Sequence, residues 1–66
     1  MRKVGNKVRI TTGGYSGLNY FNLVERGWTP STELEIVKLT DDREYPYVIK
    51  LPDNTTLQIS EWDIYL

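Results

Sequence analysis

The side chains that most often carry out catalysis are missing from this sequence or poorly placed in it. There is no histidine and no cysteine. That removes the commonest general base, the commonest zinc ligand, the thiolate nucleophile and any disulfide framework. Ser16, Ser31 and Ser60 therefore have no imidazole to activate them. Asp41 and Asp42 are neighbours on a polar turn, where their carboxylates diverge into water instead of converging in a desolvated pocket. Gly13, Gly14 and Gly17 are not followed by the Lys-Ser/Thr of a phosphate loop, and the acids lack the spacing of a calcium loop. A chain of 66 residues also has little room for an enclosed pocket. These residues predict no enzyme, no metal and no cofactor.

What remains is binding chemistry. The aromatic set is Tyr15, Tyr20, Phe21, Trp28, Tyr45, Tyr47, Trp62 and Tyr65. Aromatic side chains bury roughly 150–250 Å² each, so a few supply much of a small core and the rest are free for contacts. Phe21 and Tyr47 are expected in the core, with the ring of Trp62 packed over one end of it. Tyr15, Tyr20 and Trp28 lie in a polar, glycine-bounded stretch, where exposed Tyr and Trp serve as interface anchors. Tyr45 and Trp62 are candidate contributors at its rim. The competing expectation is that the three loop aromatics seal one end of the core. The basic set is Arg2, Lys3, Lys7 and Arg9. Residues 1–24 carry these four bases and no acid, whereas residues 25–66 carry four bases and nine acids. The first part is thus +4 and the remainder -5, which sum to the formal net charge of -1. Lys7 and Arg9 point the same way on a strand, and with Tyr15 nearby they could hold single-stranded nucleic acid through phosphate contacts and stacking. The acidic overall balance argues for a solvated strand face instead.

Short elements must position these residues. Val8 and Ile10 alternate with Lys7, Arg9 and Thr11, the period of a half-buried strand. Gly13-Gly14 ends that strand and opens a long loop over 13–32. Within the loop, Asn19 as N-cap, apolar neighbours at Tyr20, Phe21, Leu23 and Val24, and Gly27 at the C-cap predict a short helix over 19–26. Residues 33–40 form a second strand, in which Leu34 and Ile36 share one face and Val37 and Leu39 the other. That phase change predicts a bulge or a strand covered on both faces. Residues 45–51 are a third strand with Tyr47, Ile49 and Leu51 on one face. Pro52-Asp53-Asn54 is a hairpin turn, with Asn suited to positive φ. Residues 55–59 are the fourth strand. Ser60-Glu61-Trp62-Asp63 suits one 3₁₀ turn, and residues 64–66 a brief closing strand.

VGNKVRI at the start, YPYVIKLPDNTTLQI in the middle and SEWDIYL at the end resemble the SH3-like small β-barrel, the fold shared by SH3, Tudor and KOW modules. These segments cover about half the chain. The pattern is also similar to short stand-alone SH3-like proteins of bacteriophages and bacterial mobile elements, which often carry a Gly-Tyr-rich insertion such as GGYSGLNYF after the first strand. The resemblance implies an all-β chain, a single domain over 1–66. That domain is a five-stranded barrel with a helical insertion after strand 1 and a 3₁₀ turn before the last strand. The insertion has only one acid, Glu25, where a proline-binding SH3 domain has an acidic loop. It is also longer than the first turn of a KOW module.

Two functions follow as expectations. The first is a non-enzymatic protein-binding module, of the kind a phage uses to modulate or inhibit a host protein, acting through Tyr15, Tyr20, Trp28, Tyr45 and Trp62. The second is a nucleic-acid-binding module of KOW or Tudor kind using Arg2, Lys3, Lys7 and Arg9. No apolar run exceeds three residues and no apolar h-region begins the chain, so no membrane partner and a cytoplasmic location are expected.

Overall fold

The computed structural model describes residues 1–65. The chain is mostly β. Strands β1 (Lys7–Val8), β2 (Leu34–Leu39), β3 (Tyr47–Lys50) and β4 (Thr56–Ile59) form one antiparallel sheet in the order β1-β2-β3-β4. A helix, α1 (Tyr20–Glu25), interrupts the path from β1 to β2, and a 3₁₀ turn (Glu61–Asp63) follows β4. Four strands replace the expected five. The first spans only Lys7 and Val8, short of the alternation that runs on through Thr11 in the sequence. In the expected closing strand, Ile64 makes a single bridge to Ile10, and Leu66 lies outside the described residues.

The phase change in the second strand is a bulge. Ile36 pairs with Ile49, but the next pair is Lys38 with Val48, so Val37 is extra. The bulge lets Leu34 and Ile36 both reach the core before the strand reverses its faces. The β3–β4 hairpin keeps continuous register from Tyr47↔Ile59 to Lys50↔Thr56, and Asn54 takes the positive φ of its turn, 73°. Val8, Ile10, Leu23, Trp28, Leu34, Ile36, Tyr47, Ile49, Leu51 and Ile59 make the core. Among the described residues no helix is long and apolar enough to cross a membrane.

The helix forms within one residue of expectation at each end. The Asn19 side chain accepts from Asn22 N at 3.0 Å as N-cap. At the other end, Gly27 (φ 88°) donates to Val24 O and Trp28 N to Leu23 O, both at 3.0 Å. That is the paired bonding of a Schellman ending, in which the residue after the glycine packs back on the last turn. It carries Trp28 into the core against Leu23, where it is 2% exposed, matching the competing expectation of a sealing aromatic and not that of an exposed anchor. Six helical residues present only Leu23 inward. Phe21, expected in the core, is therefore 74% exposed.

Candidate aromatic clefts

The expected binding aromatics divide into two separate depressions. The first lies beside α1. Ile10 and Trp28 are buried beneath it, and Tyr20, Pro30 and Tyr65 stand exposed around it, enclosing about 310 Å³ with Thr11 and Thr12. The rings are ordered edge to face. Tyr20 meets Trp28 at a centroid distance of 5.6 Å and an angle of 84°, and Phe21 meets Tyr20 at 5.7 Å and 83°. Each such pair contributes roughly 0.5–1.5 kcal/mol beyond burial, which fixes the orientation of Tyr20 despite its exposure. The Tyr65 hydroxyl donates to Pro30 O at 2.7 Å and holds the rim. The indole Nε1–H of Trp28 is buried and has no hydrogen-bond partner among the described residues. An unsatisfied buried donor of this kind costs about 1–3 kcal/mol.

The second depression is larger, about 600 Å³, and more polar. Tyr15, Arg43, Glu44, Ser60, Glu61 and Trp62 line it. Trp62 is 72% exposed rather than folded over the core, because it is the outward residue of the 3₁₀ turn, whose buried residue is Asp63. Tyr15 lies 6.4 Å from the half-buried Tyr45 ring. Its hydroxyl donates to Glu44 Oε2 at 2.5 Å, and that bond raises its pKa, keeping the phenol protonated.

Asp63 fixes this second site and was not expected to. It is fully buried. Its Oδ2 accepts from Ser60 N at 2.9 Å, which closes a capping box with the Ser60 hydroxyl, a bond from Trp62 N at 3.1 Å included. The same carboxylate accepts from Ser16 N at 3.0 Å and Ser16 Oγ at 2.5 Å. One side chain thus ties the start of the 13–32 insertion to the turn carrying Trp62. The Ser-x-x-Asp spacing signals the capping box in the sequence, but the bond to Ser16 spans 47 residues and has no local signature.

The basic residues are mostly paired internally. Lys7 Nζ reaches Glu35 Oε1 at 3.3 Å, following the Lys7↔Glu35 register, and Arg9 reaches Glu33 Oε2 at 4.0 Å. Arg2 grips Glu61 through Nη2 at 2.9 Å, while Tyr47 Oη donates to Glu61 Oε1 at 2.9 Å. The Arg2 bond is the main reason the Glu61 carboxyl titrates below its ordinary value of 4.5. Of the four expected nucleic-acid contacts, Lys3 alone makes no ion pair among the described residues. The expected ridge of Lys7 and Arg9 is therefore a charge ladder with Glu35 and Glu33. Among the described residues no group of three or more Asp and Glu side chains could hold a metal ion.

Comparison with family models, with curated proteins and with solved structures finds no match.

Proposed function

We propose that this chain is a non-enzymatic protein-binding module whose principal docking site is the cleft of Tyr20, Trp28, Pro30 and Tyr65. The observation that carries the reading is the ordered aromatic rim over a buried tryptophan ring. A protein ligand offers what such a cleft rewards, an apolar or aromatic side chain against the rings. Phe21 extends the apolar rim, and Tyr15 with Trp62 supplies a second, more polar contact. The ion pairs of Arg2, Lys7 and Arg9 weigh against nucleic acid, since phosphates would have to displace Glu61, Glu35 and Glu33.

The same reading takes the sheet as part of a five-stranded SH3-like barrel. Its support is the Ile10–Ile64 bridge, flanked by Thr11 N to Asp63 O at 2.9 Å and Tyr65 N to Arg9 O at 3.0 Å. The resemblance of the sequence to short phage proteins makes a cytoplasmic host protein the expected partner, with its modulation or inhibition the expected outcome.

Selection of a displayed random-peptide library against the chain tests the docking site. The expected binders lose about tenfold or more in affinity on Tyr20→Ala. They are unaffected by Lys7→Glu. Absence of binders, or binders indifferent to Tyr20, would count against the cleft.

A further inference from the structure

Charge is absent from one part of this chain. There are 8 basic and 9 acidic residues, and none of them falls in residues 10–24 or 27–32. Those two stretches and Tyr65 supply every side chain that lines the aromatic cleft, the buried Ile10 and Trp28 included. They also supply α1 as far as Val24. Interface centres are depleted of Lys, Glu and Asp and enriched in Tyr, Trp and Phe, and this face has both features.

Its apolar surface is continuous. Phe21 meets Tyr20 edge to face, Tyr20 and Tyr65 border the same cleft, and Val24 lies three residues from Phe21 and four from Tyr20, on the same side of the helix. At roughly 200 Å² per aromatic side chain, the exposed fractions of Tyr20, Phe21 and Tyr65 leave about 350 Å² of ring surface in water. The half-exposed Val24 adds to it. Apolar patches of that size mark docking surfaces. The relief of the patch is also paired. Phe21 projects as a knob, and the cleft of about 310 Å³ beside it is a hole able to take a phenyl ring.

We propose that a second copy of this chain covers this face, with Phe21 of each copy seated in the aromatic cleft of the other. Knob and hole lie side by side, so a two-fold axis between them, in the plane of contact, satisfies both at once. The face is uncharged, so it meets its own image without repulsion and offers a charged partner no counter-charge. The net charge of -1 adds little repulsion at longer range. Glu25, the next residue after Val24, ends the helix and the uncharged stretch together. About 350 Å² of ring surface is under half of the roughly 800 Å² per partner in a standard interface, so the association is weak and reversible. This inference rests on the reading of the cleft as a protein-docking site and names its occupant in the free chain. A foreign ligand then competes with the second copy.

Sedimentation equilibrium of the full chain from micromolar to millimolar concentration reads the association. The apparent mass is expected to rise toward twice the monomer mass of 7.7 kDa. Phe21→Ser should raise the dissociation constant by about tenfold or more, while far-UV circular dichroism stays native because the position is exposed. In a mixture of ¹³C-labelled and unlabelled chain, isotope-filtered NOEs should connect the Phe21 ring of one copy to Pro30 and Tyr65 of the other. A saturating library-selected peptide should return the dimer to monomer mass. A monomer throughout the range, a dimer indifferent to Phe21→Ser, one without those NOEs, or one that persists with the peptide bound overturns the proposal. A chain that stays monomeric yet binds selected peptides leaves the protein-docking reading standing. A dimer that yields no peptide binders leaves only the self-association.

Discussion

Replacing Asp63 with alanine is the most severe test of how the site is held. The carboxylate is fully buried and accepts from Ser60 N, Ser16 N and Ser16 Oγ at 2.5–3.0 Å. Alanine leaves two backbone N–H groups without acceptors, at about 1–3 kcal/mol each, and removes half of the capping box. Because the three bonds share one acceptor they do not add fully, and a loss of about 4 kcal/mol is expected. A domain of this length holds only roughly 3–10 kcal/mol in total. Its melting temperature should therefore fall by roughly 15–30 °C. Asp63→Asn keeps one acceptor oxygen and strands a single N–H, so it should cost about 1–3 kcal/mol. Urea unfolding followed by circular dichroism measures both. A loss below about 1 kcal/mol for alanine would refute the latch, as would equal losses for the two variants.

Several other substitutions follow from the same contacts. Gly27→Ala puts a Cβ 2.9 Å from Pro52 Cβ at a φ of 88°, so it should destabilise by more than about 1 kcal/mol, read from the urea midpoint. Phe21→Ser, at a 74% exposed position, should leave stability within about 0.5 kcal/mol yet weaken binding of selected peptides. Acrylamide should quench Trp62 efficiently and Trp28 poorly, so Trp62→Phe leaves a blue-shifted, protected emission. The Glu61 carboxyl has a folded pKa below its ordinary 4.5, so its contribution is present above that value and is lost as pH falls through the lower folded one. Arg2→Ala should flatten this acid limb of stability, measured as urea midpoint against pH.

The local elements were readable because their signals are local. Asn19 and Gly27 bracket α1, the change of phase at Val37 marks the bulge, and Ser60 with Asp63 marks the 3₁₀ turn. The site was read less well because its geometry depends on contacts across the chain. Gly27 reads as a helix end from sequence alone, whereas the packing of the residue after a Schellman glycine does not, so the sequence leaves Trp28 open between interface anchor and core seal. Phe21 and Trp62 read as core residues by type, whereas a six-residue helix and a three-residue turn each bury a single position. The basic first strand seemed free because its acids, Glu33 and Glu35, lie on the next strand. Only the register brings Lys7 and Arg9 opposite them.

The proposed function stands on the docking of a protein ligand over Trp28. A ¹⁵N NMR titration with a library-selected peptide, run in parallel with a single-stranded oligonucleotide at low salt, tests it directly. The peptide is expected to shift the Trp28 indole N–H resonance as a side chain settles against the rings around it, together with the backbone amides of Thr11, Thr12, Tyr20 and Tyr65. The oligonucleotide is expected to leave these unmoved. An indole resonance untouched by saturating peptide, or oligonucleotide shifts centred on Lys7 and Arg9, would contradict it.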